Sequence, residues 1–471
     1  MSDGSLWDLS EVLSATGGRL VRSNGPSVYA GVSMDTRRIR PQEIFVALRG
    51  QNHDGHAFVG EAVERGATAV VVERGAEVAL GCDRAKSPAV SVVEVDDTLR
   101  AFGDLAAHYR RQRGFFVAAV TGSNGKTTTK EMVAAIMEEA IGPEHVLRTS
   151  GTQNNLIGVP LTLLGASGCE RVAVLEFGMN APGEIWRLTE IAEPDVGVVT
   201  CVGPAHMEGL GDIAGVASAK GELYRRLKAG ATAVVNAGDQ WVCEIARGFT
   251  GRTVHFGDGT EIAAESVVAL GLVGVEFTLA VEGERRRLRL PLPGYHNVTN
   301  ALAAAAVARA CGASLEAIVA GLVRSPRLPM RMEIVTLPGQ VTVINDAYNA
   351  NPASMLSALA ILGAIGQGAK IAVLGEMREL GKESAALHRR VGQAAAAERV
   401  SVLIAVGGGA EEVRAGALER GMDPDAALVA GSPGEAAALV RERVRAGDFV
   451  LIKGSRATRM ERVLEHLKEG M

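Results

Sequence analysis

Short runs of aliphatic and β-branched residues recur along the chain, separated by stretches in which alanine and leucine recur at helical spacing. A short, continuous apolar run is typical of a strand buried on both faces, as in a parallel sheet. The predicted strands are Ala69–Val72, Val90–Val93, Phe116–Val120, Val172–Leu175, Val196–Val199, Ala233–Val235, Val341–Ile344, Ile371–Leu374, Val402–Val406 and Phe449–Ile452. Alternation of such strands with helices predicts an α/β fold with mostly parallel sheets and helices on both faces.

The chain length predicts about three domains. The predicted domains are residues 1–112, 113–328 and 329–471. The first ends in a predicted helix, Asp96–Arg113, whose acidic start and arginine-rich end suit the helix dipole. Pro326 and Pro329 mark the second boundary as a linker.

The second and third domains are predicted to differ in their sheets. In the second, helices are predicted at Lys130–Ala140 and Val298–Cys311, and the alternating residues 253–290 indicate an antiparallel appendage. In the third, each apolar run is followed by a helical pattern, which predicts a doubly wound, Rossmann-like domain.

Composition and charge exclude several classes of function. A net charge of -5 does not favour a nucleic-acid-binding protein. The five cysteines form no CxxC pair, which disfavours a disulfide framework or a zinc site; they are Cys82, Cys169, Cys201, Cys243 and Cys311. The chain shows neither a signal-peptide pattern nor an apolar stretch of about 18 residues. We therefore expect a cytoplasmic protein without nucleic-acid or membrane partners.

A glycine-rich segment follows the predicted strand Phe116–Val120 and reads Thr-Gly-Ser-Asn-Gly-Lys-Thr-Thr over residues 121–128. Backbone N–H groups at the start of the following helix can bind phosphate, Lys126 can neutralise its oxygens, and the Thr127 hydroxyl can bind Mg²⁺. The common G-x-x-x-x-G-K-[ST] pattern is not met because Val120 occupies its first glycine position. The predicted phosphate-binding residues are Gly122, Ser123, Asn124, Gly125, Lys126, Thr127 and Thr128.

This short loop resembles the nucleotide loop of the Mur ligase family, whose members use ATP to join a carboxylate to an amine. The resemblance extends over nearly the whole chain and implies metal-binding residues in the central domain. Glu176, at a predicted strand end, matches a Mg²⁺ ligand, and His206 matches a second metal-binding position. Lys220 aligns with a lysine that is carbamylated in the family. The resemblance thus implies ATP, two Mg²⁺ ions and catalytic roles for Lys126, His206 and Lys220.

The same resemblance implies further nucleotide contacts from the end of the second domain and from the third. Asn297 and Asn300 match an H-N-x-x-N element that lies against adenine, although one of them could simply cap a helix. Arg331 matches an arginine that reaches the ATP phosphates, and Asp346 matches an acidic residue on the ribose. Lys453 and Arg456 follow another predicted strand and are either near the activated carboxylate or merely solvated at the surface.

Elements of the first domain resemble those with which later members of the family bind a UDP-sugar. The implied contacts are Ser33, Thr36, Arg37, His53, Asp54 and His56. Asn154 and Asn155 match a segment that reads the muramoyl-peptide. The implied acceptor is therefore a UDP-N-acetylmuramoyl-tripeptide.

The segment Asp346–Met355 resembles the signature of family members that add D-alanyl-D-alanine, and it lacks the D-N-P-R element of ligases that add a single diamino acid. The implied dipeptide contacts are Tyr348, Asn349 and Asn351. A folylpolyglutamate synthase is an alternative, but it should lack the first-domain motifs. A non-catalytic nucleotide-binding regulator is another, but it would not need Glu176, His206 and Lys220 together. Domain closure over small-molecule substrates suggests a monomer.

Overall fold

The structure is a computed structural model, and it describes residues 7–50, 53–77 and 89–470. Cys82 lies outside the described residues. The strands are β1 (Trp7–Asp8), β2 (Arg19–Ser23), β3 (Val28–Tyr29), β4 (Gly31–Ser33), β5 (Glu43–Val46), β6 (Ala69–Glu73), β7 (Ser91–Val95), β8 (Phe116–Thr121), β9 (Val146–Arg148), β10 (Val172–Glu176), β11 (Val196–Val199), β12 (Thr232–Asn236), β13 (Arg252–Phe256), β14 (Ile262–Ala269), β15 (Val275–Val281), β16 (Glu284–Leu290), β17 (Glu333–Leu337), β18 (Val341–Asp346), β19 (Lys370–Gly375), β20 (Val402–Val406), β21 (Ala427–Ala430) and β22 (Phe449–Lys453).

The α-helices are α1 (Leu9–Thr16), α2 (Val59–Glu64), α3 (Thr98–Arg113), α4 (Lys126–Ile141), α5 (Gly158–Leu164), α6 (Glu184–Ala192), α7 (Met207–Leu210), α8 (Ile213–Arg226), α9 (Gln240–Ala246), α10 (Tyr295–Ala310), α11 (Leu315–Val323), α12 (Pro352–Gly363), α13 (Ser384–Ala397), α14 (Ala410–Glu419), α15 (Pro433–Arg443) and α16 (Glu461–Gly470). Short 3₁₀ helices occur at Gly55–Phe58, Pro143–His145, Gly271–Val273, Pro338–Gln340, Gly381–Glu383 and Arg456–Thr458.

Two compact units account for the chain. The first comprises residues 1–119, 144–179 and 184–195, and the second comprises residues 120–143, 180–183 and 196–471. In the first unit, a five-stranded sheet has the order β2-β7-β6-β5-β4, in which only the β2–β7 pair is antiparallel. Strands β8, β10 and β9 lie side by side in that order, and β10 and β9 are parallel.

The second unit contains strands β16 to β11, which follow one another in the order β16-β15-β14-β13-β12-β11. Strands β11, β12 and β13 are parallel, whereas β14, β15 and β16 form an antiparallel meander. The prediction that residues 253–290 form an antiparallel appendage was therefore wrong for residues 253–256, because these belong to β13, which pairs with β12 in parallel. The outermost strand, β16, carries Arg285, Arg286, Arg287 and Arg289.

The second unit also contains a six-stranded sheet with the order β17-β18-β22-β19-β20-β21. The pairs β18–β22, β22–β19, β19–β20 and β20–β21 are parallel, and only β17 runs antiparallel to its neighbour. Buried valine, isoleucine and leucine side chains from these strands form a core with α15 and α16. These mostly parallel sheets with intervening helices confirm the predicted α/β class.

Candidate active site

The glycine-rich loop connects β8 to α4, and two glycines make its conformation possible. Gly122 has φ +147°, and a Cβ atom there would lie 1.9 Å from Thr200 Oγ1. Gly125 has φ +79°, and a Cβ atom there would lie 2.1 Å from Asn300 Oδ1. Since left-handed backbone and lack of space both exclude larger residues, these positions require glycine. Gly125 is the N-cap of α4, which begins at Lys126 and not, as predicted, at Lys130.

The side chains of the loop are held by the loop itself and by the segment after β11. Lys126 Nζ donates to the carbonyl oxygens of Gly122, at 2.8 Å, and Ser123, at 3.4 Å. Ser123 Oγ accepts a hydrogen bond from the N–H of Gly203 at 2.9 Å. The Thr200 hydroxyl donates to the Asn124 carbonyl at 2.5 Å. Thr128 lies in the first turn of α4. The loop therefore presents the N-terminus of a 16-residue helix, where backbone N–H groups favour anions.

Residues from after the predicted linker contact this loop within the second unit. Arg331 Nη2 donates to Thr127 Oγ1 at 3.0 Å, and its guanidinium lies 4.1 Å from the centre of the Tyr348 ring. Asn351 Nδ2 donates to Asn124 Oδ1 at 2.6 Å. The structure thus brings together the predicted nucleotide loop, the predicted phosphate-binding arginine and part of the predicted dipeptide segment.

The two asparagines of the H-N-x-x-N element are buried in the first turns of α10. Asn297 Nδ2 donates to the Pro293 carbonyl at 2.8 Å, and Asn300 Nδ2 donates to Asn297 Oδ1 at 3.0 Å. Asn300 also packs against Gly125 of the loop. Asn297 therefore stabilises the start of the helix, while Asn300 lies against the glycine-rich loop.

Asp346 is the last residue of β18 and forms a buried ion pair. Its Oδ2 atom lies 2.6 Å from Lys453 Nζ, and its Oδ1 accepts from the Met332 N–H at 3.1 Å. Lys453 also donates to the Asn349 carbonyl at 3.0 Å. Because Lys453 is only 3% exposed, it is not a solvated surface lysine. Arg456 differs, since its side chain is 55% exposed and pairs with Glu461.

The first unit contains a buried carboxylate at the end of β10. Glu176 is 1% exposed, and its Oε1 accepts from Asn154 Nδ2 at 2.8 Å. Its Oε2 is buried and has no hydrogen-bond partner among the described residues. A buried carboxylate oxygen without a donor is costly, and carboxylate oxygens are preferred Mg²⁺ ligands, so Glu176 fits a divalent cation. Asn155 instead accepts from the N–H groups of Ile157 and Gly158 at the start of α5.

His206 and Lys220 occupy unusual environments in the second unit. His206 has a left-handed φ of 58°, and its Nδ1 lies 2.6 Å from Glu379 Oε2. This contact lowers the pKa of Glu379. Lys220 lies on α8 and is 2% exposed. Burial, followed by the positive charge of Lys126, holds the pKa of Lys220 well below its usual range. Burial and the nearby charge of Lys126 both disfavour the charged form of this amine.

The predicted UDP-sugar residues of the first unit pair with their close neighbours in the sequence. Asp35 forms two hydrogen bonds with the Arg37 guanidinium, which lowers the pKa of Asp35 to about 2. His56 Nδ1 lies 2.6 Å from Asp54 Oδ1, and His56 Nε2 accepts from the Glu73 N–H at 2.9 Å. Both ring nitrogens of His56 are therefore engaged, and Nδ1 carries the proton.

Three other predicted UDP-sugar residues form weaker or backbone contacts. Ser33 Oγ donates to the Asp35 carbonyl at 3.2 Å. The Thr36 carbonyl accepts from Arg65 at 3.3 Å, and the His53 carbonyl accepts from the Gly50 N–H at 2.8 Å. These two contacts use the backbone carbonyls of Thr36 and His53, and they involve neither the Thr36 hydroxyl nor the His53 ring.

Comparison with known proteins identifies the family. The profile described as "Mur ligase family, catalytic domain" matches residues 28–110, "Mur ligase middle domain" matches residues 120–308, and "Mur ligase, glutamate ligase domain" matches residues 330–456. The chain belongs to the Mur ligase family. The predicted resemblance is confirmed.

Individual Mur ligases are similar over nearly the full chain. The UDP-N-acetylmuramoyl-tripeptide–D-alanyl-D-alanine ligase of Escherichia coli is 36% identical over 444 residues, which cover 93% of each chain. A crystal structure of MurF from Acinetobacter baumannii matches with a TM-score of 0.88 and 31% identity over 99% of each chain. MurF from Thermotoga maritima in complex with ADP matches with a TM-score of 0.81 and 27% identity, covering 93% of this chain and 97% of that one.

Reasoning from the sequence missed Glu379 as a partner of His206 in this Mur ligase. Glu379 lies in the turn after β19, has a left-handed φ of 63° and accepts from the Glu208 N–H through its carbonyl. No sequence signal links it to His206, because the two residues are 173 positions apart and the contact depends on tertiary structure. Across residues 7–50, 53–77 and 89–470, no three His, Cys, Asp or Glu side chains gather into a set that could hold a metal ion.

None of the helices in the described part of this Mur ligase combines the length and the hydropathy needed to span a bilayer.

Proposed function

We propose that the chain uses ATP to join D-alanyl-D-alanine to UDP-N-acetylmuramoyl-tripeptide through an acyl-phosphate intermediate. The ligase reaction is supported by full-length relatives that carry this name and by a MurF structure determined with ADP. The observation that carries the proposal is a hydrogen bond at the nucleotide loop: Thr127 accepts from Arg331, which lies after the predicted linker. A phosphate loop that carries Lys126 and is contacted by Arg331 suits phosphoryl transfer, because both cations can stabilise charge on the transferred phosphoryl group.

In the proposed reaction, the terminal carboxylate of the tripeptide attacks the γ-phosphate of ATP and ADP leaves. The amine of the dipeptide then attacks the acyl phosphate, and inorganic phosphate leaves with a carboxylate oxygen. Lys126 and Arg331 offset the repulsion between the two anions, and the backbone N–H groups at the start of α4 orient the phosphates. Exclusion of water protects the acyl phosphate from hydrolysis.

Glu176, His206, Thr127 and Lys220 are the residues that would hold Mg²⁺. When bound, Mg²⁺ would supply positive charge to the phosphate oxygens. The buried, unpartnered Oε2 atom of Glu176 supports this assignment. Thr127 accepts from Arg331, and a hydroxyl oxygen has a second lone pair that remains available to a cation.

We further propose that Lys220 carries a carbamate in the active enzyme. The buried position of Lys220 beside the charge of Lys126 favours a neutral amine, which is the form that reacts with carbon dioxide. The product is an anion, which would be attracted to Lys126 and to a divalent cation. A bare amine in a high-resolution electron-density map, from crystals grown with bicarbonate and nucleotide, would contradict this assignment.

We propose that the three predicted domains bind the UDP-sugar, ATP and the dipeptide, respectively. Residues 1–112 would bind the UDP-sugar through Ser33, Thr36, Arg37, His53, Asp54 and His56, with Asn154 and Asn155 reading the peptide. Residues 113–328 would bind ATP, with Asn297 and Asn300 at the adenine and Asp346 of the third domain at the ribose. Residues 329–471 would bind the dipeptide through the segment that contains Tyr348 and Asn349. We propose that the enzyme acts as a monomer in the cytoplasm.

The reaction is tested by phosphate release from ATP and Mg²⁺ with UDP-N-acetylmuramoyl-tripeptide, D-alanyl-D-alanine, both or neither. Sustained release is expected only with both substrates. Equal turnover with folate plus glutamate, or none with any pair, would contradict the proposed activity.

The intermediate is tested with a tripeptide in whose terminal carboxylate both oxygen atoms are ¹⁸O. One ¹⁸O atom is expected in each phosphate released, because a carboxylate oxygen becomes the bridging oxygen of the acyl phosphate and leaves with phosphorus. Unlabelled phosphate would show that the carboxylate never attacks ATP.

A further inference from the structure

Asn351 uses both ends of its side-chain amide. It is the N-cap of α12, where its Oδ1 accepts from the Ser354 N–H at 3.0 Å. Ser354 Oγ in turn accepts from the Asn351 N–H at 3.0 Å, which completes a capping box. Its Nδ2 donates to Asn124 Oδ1 at 2.6 Å, across 227 positions of sequence. A residue expected to read the dipeptide therefore contacts the nucleotide loop.

The orientation of the Asn351 amide follows from its partners. A backbone N–H can only donate, so the atom facing Ser354 must be the oxygen, and the amide nitrogen must point toward Asn124. Asn124 consequently presents its oxygen. The direction of this bond is thus imposed by the capping of α12, and an exchange of the two amide atoms of Asn351 would lose both contacts.

Asn124 is fixed through its main chain as well as its side chain. Its carbonyl accepts from the Thr200 hydroxyl, while its side chain is held by Asn351. The next residue, Gly125, turns the chain in a left-handed conformation into the first turn of α4. The direction of the N–H groups that face a bound phosphate therefore depends on how Asn124 is held.

We propose that Asn351 is a positioning residue for the nucleotide loop. Asn351 acts through Asn124 and thereby couples the N-terminus of α12 to nucleotide binding. The residues just before this cap, Asp346–Ala350, belong to the segment that resembles the dipeptide signature. The bond thus connects this segment to the loop that binds ATP. The identity of the dipeptide and the binding of ATP at this loop rest on the proposed function.

Replacement of Asn351 by serine separates the two roles of the side chain. Serine is a good N-cap, so α12 is expected to keep its cap, but the shorter hydroxyl cannot also reach Asn124. We expect ADP to bind about fivefold more weakly in isothermal titration calorimetry, which is the effect of one hydrogen bond between neutral groups. The KM for D-alanyl-D-alanine at saturating ATP should stay at the wild-type value, and the melting temperature should fall by no more than about 2 °C, the effect of one lost hydrogen bond in a chain of this size.

Ser432→Asn is the matched control. Ser432 caps α15, is followed by a proline as Asn351 is, and accepts from the Glu435 N–H. In this control asparagine replaces a capping serine, whereas in Asn351→Ser serine replaces a capping asparagine. Unchanged ADP affinity is expected; an equal loss in this variant would overturn the proposal, because cap exchange alone would then explain the effect.

A double-mutant cycle with Asn124→Ala tests whether Asn351 acts through Asn124. Each single variant should weaken ADP binding, and the double variant should bind no more weakly than Asn124→Ala. If the losses of ADP affinity in the two single variants multiply in the double variant, the proposal is overturned. Unchanged ADP affinity in Asn351→Ser accompanied by a raised dipeptide KM would also overturn it and would make Asn351 a dipeptide reader. Because ADP titration needs neither substrate, its outcome is separate from failure of the proposed ligation.

Discussion

The first-unit segment from Ser33 to His56 and the nucleotide loop of the second unit satisfy their polar groups in opposite ways. In the first, Asp35 pairs with Arg37 and Asp54 pairs with His56, each two positions away. At the loop, Thr127 and Asn124 bond to residues 204 and 227 positions away, and the acceptors are a hydroxyl and an amide. The Asp35–Arg37 ion pair neutralises charge before any ligand binds, and the Asp54–His56 hydrogen bond fixes a local turn. The loop contacts, by contrast, leave the positive charge of Arg331 available to an anion.

This difference has a functional meaning. A carboxylate that pairs with its neighbour mainly shapes its own turn, so its loss should alter local stability. A cation held by a hydroxyl and an aromatic ring keeps most of its electrostatic attraction for an anion such as phosphate. Substitutions at the loop should therefore affect nucleotide chemistry with little effect on folding, whereas loss of Asp35 or Asp54 should measurably change local stability.

Lys126→Ala tests the strongest form of this contrast. We expect kcat to fall by about three orders of magnitude, because a charge that stabilises phosphoryl transfer is lost. The urea midpoint should change little, since Lys126 Nζ donates to the carbonyls of Gly122 and Ser123, which belong to the loop itself. Steady-state phosphate release and urea unfolding measure the two effects. Near-normal turnover would mean that the loop does not bind the reacting phosphates.

Arg331→Lys tests whether the long-range contact is functional. Lysine keeps the charge but loses the planar group that bonds to Thr127 while lying over Tyr348, so kcat/KM for ATP should fall about 10-fold or more. Arg324→Lys is the matched control, because Arg324 pairs with Glu139 at an exposed position and should have little effect. Equal losses in the two variants would remove the distinction between the loop contact and a surface ion pair.

Asp54→Asn tests the local pairs and should have the smallest effect. Contacts with His56 lower the pKa of Asp54 to about 2 from 3.8, so the folded state favours the ionised carboxylate. The stabilisation is fully present above about pH 4 and is lost as the pH falls toward 2. Because the side chain is 45% exposed, solvent screening limits the effect to about 1 kcal/mol or less.

Urea midpoints of the wild type and Asp54→Asn should differ at pH 7 and converge as the pH is lowered below 4. Asp96→Asn supplies the control, since Asp96 is 82% exposed and pairs with Arg74 at the surface. A difference between Asp54→Asn and the wild type that grows on acidification would contradict the assigned direction of the pKa shift.

The parts of the fold that depend on local pattern could be predicted from the sequence. Continuous apolar runs indicated β8, β10 and β11, and the glycine-rich segment indicated the loop before α4. Strands β17 and β21 were not predicted, because an edge strand buries too few residues to give a continuous apolar run. The start of α4 was predicted four residues late, because the Lys-Thr-Thr-Thr sequence has no apolar periodicity and its helical conformation depends on Gly125.

Side-chain partners were harder to predict than positions. The family resemblance indicated Asn351 and Asp346, yet neither the bond from Asn351 to Asn124 nor the ion pair of Asp346 with Lys453 follows from the sequence alone. Both contacts join residues more than 100 positions apart, so they depend on how strands and loops pack. The same is true of His206 and Glu379. Short-range pairs such as Asp35 with Arg37 are the exception, because a turn brings them together.

The arginines of β16 have a consequence for behaviour at high concentration. An outermost strand has unpaired backbone groups that can recruit a strand from another molecule and begin aggregation. Charged side chains on β16 oppose such stacking through mutual repulsion and a hydration shell, and Arg285 and Arg287 are kept in place by Glu265 and Glu276. The meander can therefore end in an open edge and still resist fibril-like growth, which makes these arginines poor positions for apolar substitution when the protein is engineered for crystallisation.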